Sequence, residues 1–598
     1  MKGRENMERQ VVETDVLVVG GGGAGFRAAI GAREKGVGVT LLSKGPLARC
    51  GASPMAGADF TLDGRSMSKI DGLNGDPNDS PEKVFNDIVT QGCYLNNQKL
   101  VEQYIGRAPQ CLRELIEWGI EIRLSDERMI FTSGIEIMDA LLKKARSVGI
   151  DLLDDVALLD LITDDGGVTG GLGLDIRSGE FIQFKAKAVV MATGGWHKAF
   201  WPNTGMRDLS GEGIAMAHRA GADLGNMEFI TFACNVIYAP PIWRGSIAPY
   251  ILGLMVGGRL TNKEDEEFLL KYDPFVVDKG TSTEWNKSFV SYACMKEIRA
   301  GKGLANGGVY YSRGDVPWEN VELIANLAFP KWKYKAIDLS QWSRMLKKNE
   351  PIEVGPAVEY FEGGIVVNDQ FETNVSGLYA AGECTLGAFG ANRVFSAITE
   401  MLVHGADAGA HAADYAKVGK ICDVDEKVIS NLEDQHKAPL NRQAGSRPAE
   451  VRRRVQEAAH KLLGPIRTQG ELESFRNLLE EVKGNDLPNL AVSTSSRIYN
   501  KEWLDALELH NIIQLLDMAT QCALVRTESR GVHFREDYPE TDNDKWLKES
   551  IVRRGAEGFE VDSRPVTITS MTPPTGITPY LDFFKEMMEA RSETGGKH

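Results

Sequence analysis

Long apolar runs are missing from this chain of 598 residues. No uninterrupted stretch approaches the roughly 20 apolar residues that a membrane helix needs, so direct membrane insertion is not expected. Cysteine is sparse. Its eight copies, at 50, 93, 111, 234, 294, 384, 422 and 522, form no C-x-x-C and no cluster-binding run. They read as free thiols in a reducing compartment. Any iron–sulfur centre that exchanges electrons with this protein must therefore sit on another chain. Positive charge is in deficit, with 68 Lys and Arg against 84 Asp and Glu and a net charge of −16. That argues against a nucleic-acid or anionic-membrane surface, since either needs a basic face. Met1 to Glu13 is polar and of mixed charge, without the apolar core of an export signal. A cytoplasmic location follows, peripheral to a membrane only through partners. His197, His218 and His533 show no metal-ligand spacing, so structural roles and no metal are expected.

What is present begins with Val16-Leu-Val-Val-Gly20-Gly-Gly-Gly-Ala-Gly25-Phe-Arg-Ala-Ala-Ile30. A short apolar strand runs into Gly20, Gly22 and Gly25, which fit G-x-G-x-x-G, and an Ala-rich helix follows. The first glycine allows a tight turn, the second lets backbone approach a pyrophosphate, and the third lets helix and strand pack closely. The helix start offers free N–H groups and a positive dipole end to phosphates. Val39-Thr-Leu-Leu-Ser43 supplies the second strand at βαβ spacing. The unit reads as a dinucleotide site.

The length requires several domains. The periodicities predict an α/β chain: a Rossmann-like dinucleotide-binding domain, an inserted α+β domain and a helical C-terminal domain. The expected boundaries are 1–239 and 356–424 for the two parts of the first domain and 240–355 for the insertion, which loses the β-α rhythm. The helical region is 425–540, and 541–598 is an extended surface tail. Residues 81–122 read as helical, and residues 150–185 as short strands turning at Asp164-Asp-Gly-Gly167 and Ser178-Gly179. Ala188-Val-Val-Met-Ala-Thr-Gly-Gly195 reads as a buried strand ending in a second glycine turn.

Further strings are Ser43-Lys44, Ser210-Gly-Glu-Gly213, Asn226-Met-Glu-Phe229, Gly363-Gly364, Gly377-Leu-Tyr-Ala-Ala-Gly-Glu383, Gly390-Ala-Asn-Arg393 and Thr527-Glu-Ser-Arg-Gly-x-His533. With the glycine turns, and in this order, they make the chain resemble the flavoprotein subunit of succinate dehydrogenase and fumarate reductase, and L-aspartate oxidase. The resemblance spans about residues 14 to 545. It implies FAD in an extended conformation under a capping domain, which is the insertion. It also implies hydride transfer between flavin N5 and a carbon–carbon bond next to a carboxylate of a small-molecule substrate, an iron–sulfur protein partner, and room for a higher oligomer.

Carried over by position, the resemblance puts Gly20, Gly22 and Gly25 on the pyrophosphate and Ser43 and Lys44 near the adenosine end, with Ala157 as a further cofactor-binding residue. Thr193 and Gly194 approach from the second glycine turn. Glu212 stands for the family's usual aspartate, Glu383 reaches a cofactor hydroxyl, and Ser396 lies by the isoalloxazine. For Glu212 and Ser396 a plain helix-start role is the open alternative. Where respiratory members carry a flavin-linking histidine, this chain reads Arg49-Cys50-Gly51-Ala52. Gly51 has no nucleophile, so non-covalent FAD is expected.

The substrate positions depart from the family. The carboxylate-binding histidine of Met-Glu-Phe-x-x-x-His aligns with Ala233. The Thr-Glu pair aligns with Tyr250-Ile251, the Arg-Gly-Glu-Gly-Gly run with Leu254-Met-Val-Gly-Gly258, and the second histidine with Glu359. Lys287 aligns with the proton-donating arginine, and Arg393 alone is intact among the anchors. Glu359 beside a dicarboxylate is like-charge repulsion, which disfavours fumarate and succinate. A monoanionic or neutral substrate with an apolar body fits better. Arg393 would clamp a carboxylate or carbonyl, Lys287 would donate the proton, and Glu359 would hold a polar group or relay the proton. Lys287 as a solvated lysine and Glu359 as a plain ion-pair partner of Arg393 stay open. Cys234 and Cys384 read as small buried hydrophobes, and Trp196, Trp201 and Trp243 as packing residues. An electron-relay subunit without its own substrate, or a fumarate, aspartate or adenylylsulfate enzyme, is the alternative.

Overall fold

The computed structural model describes residues 9–594 apart from 57–58, 165, 247–257, 273–286, 321, 323–343, 346, 394 and 557. The opening strand Gln10–Val19, the helix Gly23–Glu34 and the strand Val39–Ser43 form the expected βαβ unit. Val16, Leu17 and Val18 are fully buried because this strand is central and covered on both faces. The main sheet has seven strands. Asp151–Asp154, Val39–Ser43, Gln10–Val19, Glu180–Met191 and Leu378–Ala380 run parallel. Val156–Asp164 and Gly167–Asp175 extend it as an antiparallel meander, turning where the Asp-Gly and Ser-Gly signals stand.

The helix Ala397–Val418 lies across Gly23–Glu34, close enough that a Cβ on Gly409 would fall 1.9 Å from the Ala28 carbonyl oxygen. This locks the middle of the chain onto its first helix. The insertion is built on a four-stranded sheet in the order Ile230–Ala239, Ile352–Phe361, Val309–Ser312, Arg259–Thr261. The strand Ile352–Phe361 crosses the expected 355/356 boundary, because Glu353 to Phe361 pair antiparallel with Ile230–Ala239, a strand that the expected boundaries leave in the first domain.

The helical region contains Glu426–Asn441, Pro448–Leu462, Gln469–Glu481 and Lys501–Val525. The last segment is more than an extended tail. Lys548–Arg554 and Phe559–Pro565 form a hairpin that adds to Leu224–Gly225. The closing helix Tyr580–Thr594 buries Phe583, Phe584 and Met587. The Pro- and Thr-rich composition of the segment before this helix hid these apolar anchors. No helix among the described residues is long and apolar enough to cross a membrane.

Candidate functional site

A cavity of about 1270 Å³ opens at the carboxyl ends of the parallel strands, where α/β sheets place their ligands. Its walls come from the turn after Val19, the end of Val39–Ser43, the turn after Met191 and the segment after Ala380. The glycine cradle is sterically obligatory. Gly20 has φ +124°, and a Cβ there would lie 2.1 Å from the Ala192 carbonyl oxygen. A Cβ on Gly25 would lie 1.8 Å from the Gly20 carbonyl oxygen. Gly22 stands at the head of the helix Gly23–Glu34, which has no side-chain cap, and the next amide, Gly23 N–H, meets the Ser53 hydroxyl at 3.1 Å. That leaves backbone donors at a positive helix end for a pyrophosphate.

The other expected cofactor residues separate into three groups. Thr193, Gly194, Glu212 and Glu383 all line the cavity. Thr193 Oγ1 is buried with no hydrogen-bond partner, and Glu383 Oε1 is buried without a well-aligned one. Burial pushes the Glu383 carboxyl upward. Orphaned buried oxygens of this kind call for a ligand that donates, such as a polyol chain.

Ser43 and Lys44 also line the cavity, but both are engaged. Ser43 Oγ lies 3.2 Å from Cys50 Sγ. Lys44 Nζ lies 2.7 Å from Glu212 Oε1, 2.9 Å from Glu508 Oε1 and 3.0 Å from Ser210 Oγ. Glu212 is both the first residue of the helix Glu212–Arg219 and a cavity residue, so its two readings merge.

Ser396 and Ala157 differ from expectation. Ser396 is fully buried and caps the helix Ala397–Val418, its hydroxyl accepting from the Ile398 and Thr399 amides at 3.1 and 3.2 Å. The capping alternative therefore holds, and Ala397, Ile398 and Met401 take the place on the wall. Ala157 is buried within its strand, and its neighbours Val156 and Leu158 face the cavity, as strand alternation requires.

Gly51 also lines the cavity, with φ +74° and open space where a Cβ would project. Burial pushes the adjacent Cys50 thiol upward, which disfavours a nucleophilic thiolate. The cradle, the unpartnered oxygens and the open space fit FAD.

At the expected substrate positions, Arg393 and Glu359 share the wall, with Arg393 Nη2 4.0 Å from Glu359 Oε2. The guanidinium also lies 4.7 Å from the centre of the Tyr360 ring and donates to the Phe395 carbonyl at 3.2 Å. Lys287 is the first residue of the helix Lys287–Glu297, and its side chain lies outside the described residues. Tyr250, Ile251, Leu254, Met255 and Val256 lie outside them as well. Ala233 is fully buried and clusters with Val236 and Ala357, facing Ala357 across the sheet. Cys234 and Cys384 are buried as expected, and Cys384 Sγ is held by the Met191 and Ala381 carbonyls.

Sequence reasoning missed several cavity residues. His197 lies on the wall, as do Trp201 and Trp243, and Trp201 remains 42% exposed. Trp196 packs as expected, stacked on Phe361 at 4.4 Å. His218 and His533 keep structural places, bonded to Gln514 and Arg467. The helical region sends Arg452, Asp505 and Glu508 into the cavity, where Asp505 pairs with Arg452 and Lys198 and Glu508 with Lys44. Nothing local in the sequence marks these; only long-range packing brings them together. Among the described residues no group of His, Cys, Asp and Glu could hold a metal ion.

Comparison with known proteins agrees with this geometry. A family model described as "FAD binding domain" matches residues 15–129 and 123–397, and one described as "Fumarate reductase flavoprotein C-term" matches 452–578. One subunit of the fumarate reductase (CoM/CoB) of Methanothermobacter marburgensis is 31% identical over 574 residues, covering 92% of this chain and 99% of that protein. The fumarate reductase flavoprotein subunit of Haemophilus influenzae is 29% identical, with 94% and 96% covered. A solved quinol fumarate reductase chain of E. coli superposes with a TM-score of 0.82 at 26% identity, covering 95% of this chain and 99% of its own. An adenylylsulfate reductase from Archaeoglobus fulgidus, at 21% identity and a TM-score of 0.74, shares the fold. The chain belongs to the fumarate reductase and succinate dehydrogenase flavoprotein family and is an FAD-dependent oxidoreductase.

Proposed function

We propose that this enzyme reduces or forms an activated carbon–carbon bond of a carboxylate or carbonyl substrate other than fumarate or succinate. In this reading it exchanges electrons with an iron–sulfur partner chain and holds its FAD non-covalently. FAD, when bound, would supply hydride exchange at N5 with one carbon of the reacting bond, the proton going to the other. The single observation that carries the substrate reading is the Arg393–Glu359 pair on the cavity wall, 4.0 Å apart. One carboxylate or carbonyl oxygen can approach the planar fork of Arg393. A second carboxylate would enter a wall that already carries the Glu359 charge, and a like charge in a partly dry cleft costs several kcal/mol. Among relatives at about 30% identity, two carry the name fumarate reductase and one is named only as an FAD-dependent oxidoreductase.

Arg393 then fixes the substrate by one polar group. Glu359 holds Arg393 or a polar group of the substrate. Lys287, at the head of its helix, delivers the proton to the carbon beside the carbonyl. The exposed Trp201 and Ile242 at the cavity mouth favour a substrate with an apolar body, Ile242 being 87% exposed. The partner reading rests on the scattered cysteines, which offer no cluster ligands of their own, and on relatives named as subunits. The test is Arg393→Lys. Loss of the fork lowers kcat/KM for the true substrate by about 100-fold or more, with FAD content unchanged. Unchanged kcat/KM in that variant contradicts the reading.

A further inference from the structure

His197 follows the second glycine turn, in a short 3-10 turn His197–Ala199, and its ring is packed edge-on against Phe361 at 5.1 Å. Its Nε2 lies 2.9 Å from the Glu359 carbonyl oxygen. A carbonyl only accepts, so Nε2 carries the proton, and in the neutral ring Nδ1 is left with a lone pair. Nδ1 is buried and has no hydrogen-bond partner. The residue lies on the cavity wall beside Glu383, whose Oε1 is 3.7 Å from Nε2. An acceptor buried in this way is destabilising unless a donor meets it.

We propose that His197 is a positioning residue for the flavin. One nitrogen braces the backbone at Glu359, and the other accepts a hydrogen bond from a donor of the bound FAD, either a ribityl hydroxyl or the ring imide N–H. The imidazole thus couples the strand that carries Glu359 to the cofactor. This inference concerns FAD binding and is independent of the substrate's identity.

The test measures the FAD Kd of the full-length apoprotein by fluorescence titration. His197→Gln keeps an amide donor at the reach of Nε2 and loses the acceptor. His197→Asn keeps an acceptor near Nδ1 and loses the brace. FAD binding about tenfold weaker in His197→Gln, which is 1.4 kcal/mol, and within about threefold of wild type in His197→Asn is the expected result. Wild-type affinity in His197→Gln overturns the proposal. The second arm leaves the protein unaltered and changes the cofactor, using FAD lacking a ribityl hydroxyl and FAD methylated at the imide nitrogen. One analogue loses about tenfold with wild type and nothing further with His197→Gln, which also identifies the donor. If neither analogue shows that coupling, His197 has no contact with FAD.

Discussion

Glu508 Oε1 lies 2.9 Å from Lys44 Nζ, although 464 positions separate them in the chain. The pair ties the long helix Lys501–Val525 to the end of the second strand of the dinucleotide unit, on the cavity wall. Glu508 also binds Lys198, so one carboxylate holds two buried ammonium groups. Burial pushes the Glu508 carboxyl upward, and Lys44 and Lys198 outweigh that and hold it at about 2.

Removing this carboxylate leaves buried cations short of a partner. Glu508→Gln is expected to lose about 3–5 kcal/mol of stability at pH 7, read by urea unfolding. The folded value lies below the ordinary 4.5, so the contribution is fully present above pH 4.5 and is lost as pH falls toward 2. Wild type and variant should therefore converge in stability across that window. A constant difference between pH 6 and pH 3 contradicts the assignment.

Glu362 has the opposite sign. Its Oε1 accepts from the Thr231 hydroxyl, and burial pushes the carboxyl up to about 8. The folded state holds a proton there that the unfolded chain releases at 4.5. Stability therefore falls as pH rises from about 4.5 through 8. Glu362→Gln mimics the protonated acid and should flatten that fall, seen as a smaller drop in Tm between about pH 5 and pH 8.5. An unchanged drop contradicts it.

Gly25→Ala tests the cradle. The new Cβ meets a carbonyl oxygen rather than a flexible side chain, so strand and helix must separate. FAD affinity should fall by at least about tenfold, measured as flavin absorbance per protein after gel filtration. Full flavin retention contradicts the placement of the pyrophosphate.

The cofactor link is tested by acid precipitation. With glycine at position 51 and the Cys50 thiol raised, all flavin should leave with the supernatant. Yellow colour that stays in the pellet contradicts non-covalent binding.

How far the sequence reaches follows from the range of each interaction. The dinucleotide turn is legible because its constraint is local: Gly20 and Gly25 meet within a single turn of chain. The Arg393–Glu359 pairing is legible through motif order, since each stands in a recognisable string. Ser396 shows the limit of such transfer. A serine before an apolar helix caps it by default, and here its hydroxyl is spent on two amides. His197, Lys198 and Glu508 were not legible, because their meaning depends on strands and helices hundreds of positions away. The closing helix was hidden by composition, with Tyr580, Phe583, Phe584 and Met587 buried among charged residues.

On the proposed function, a wall carrying both Arg393 and Glu359 rejects a four-carbon diacid. The most direct measurement is rapid-mixing reoxidation of the anaerobically reduced holoenzyme by fumarate, compared with monocarboxylic enoates such as crotonate and cinnamate. At least one monoacid should reoxidise the flavin about tenfold or more faster than fumarate, and Glu359→Gln should narrow the gap. Fumarate reacting faster than every monoacid, with Glu359→Gln making no difference, contradicts it.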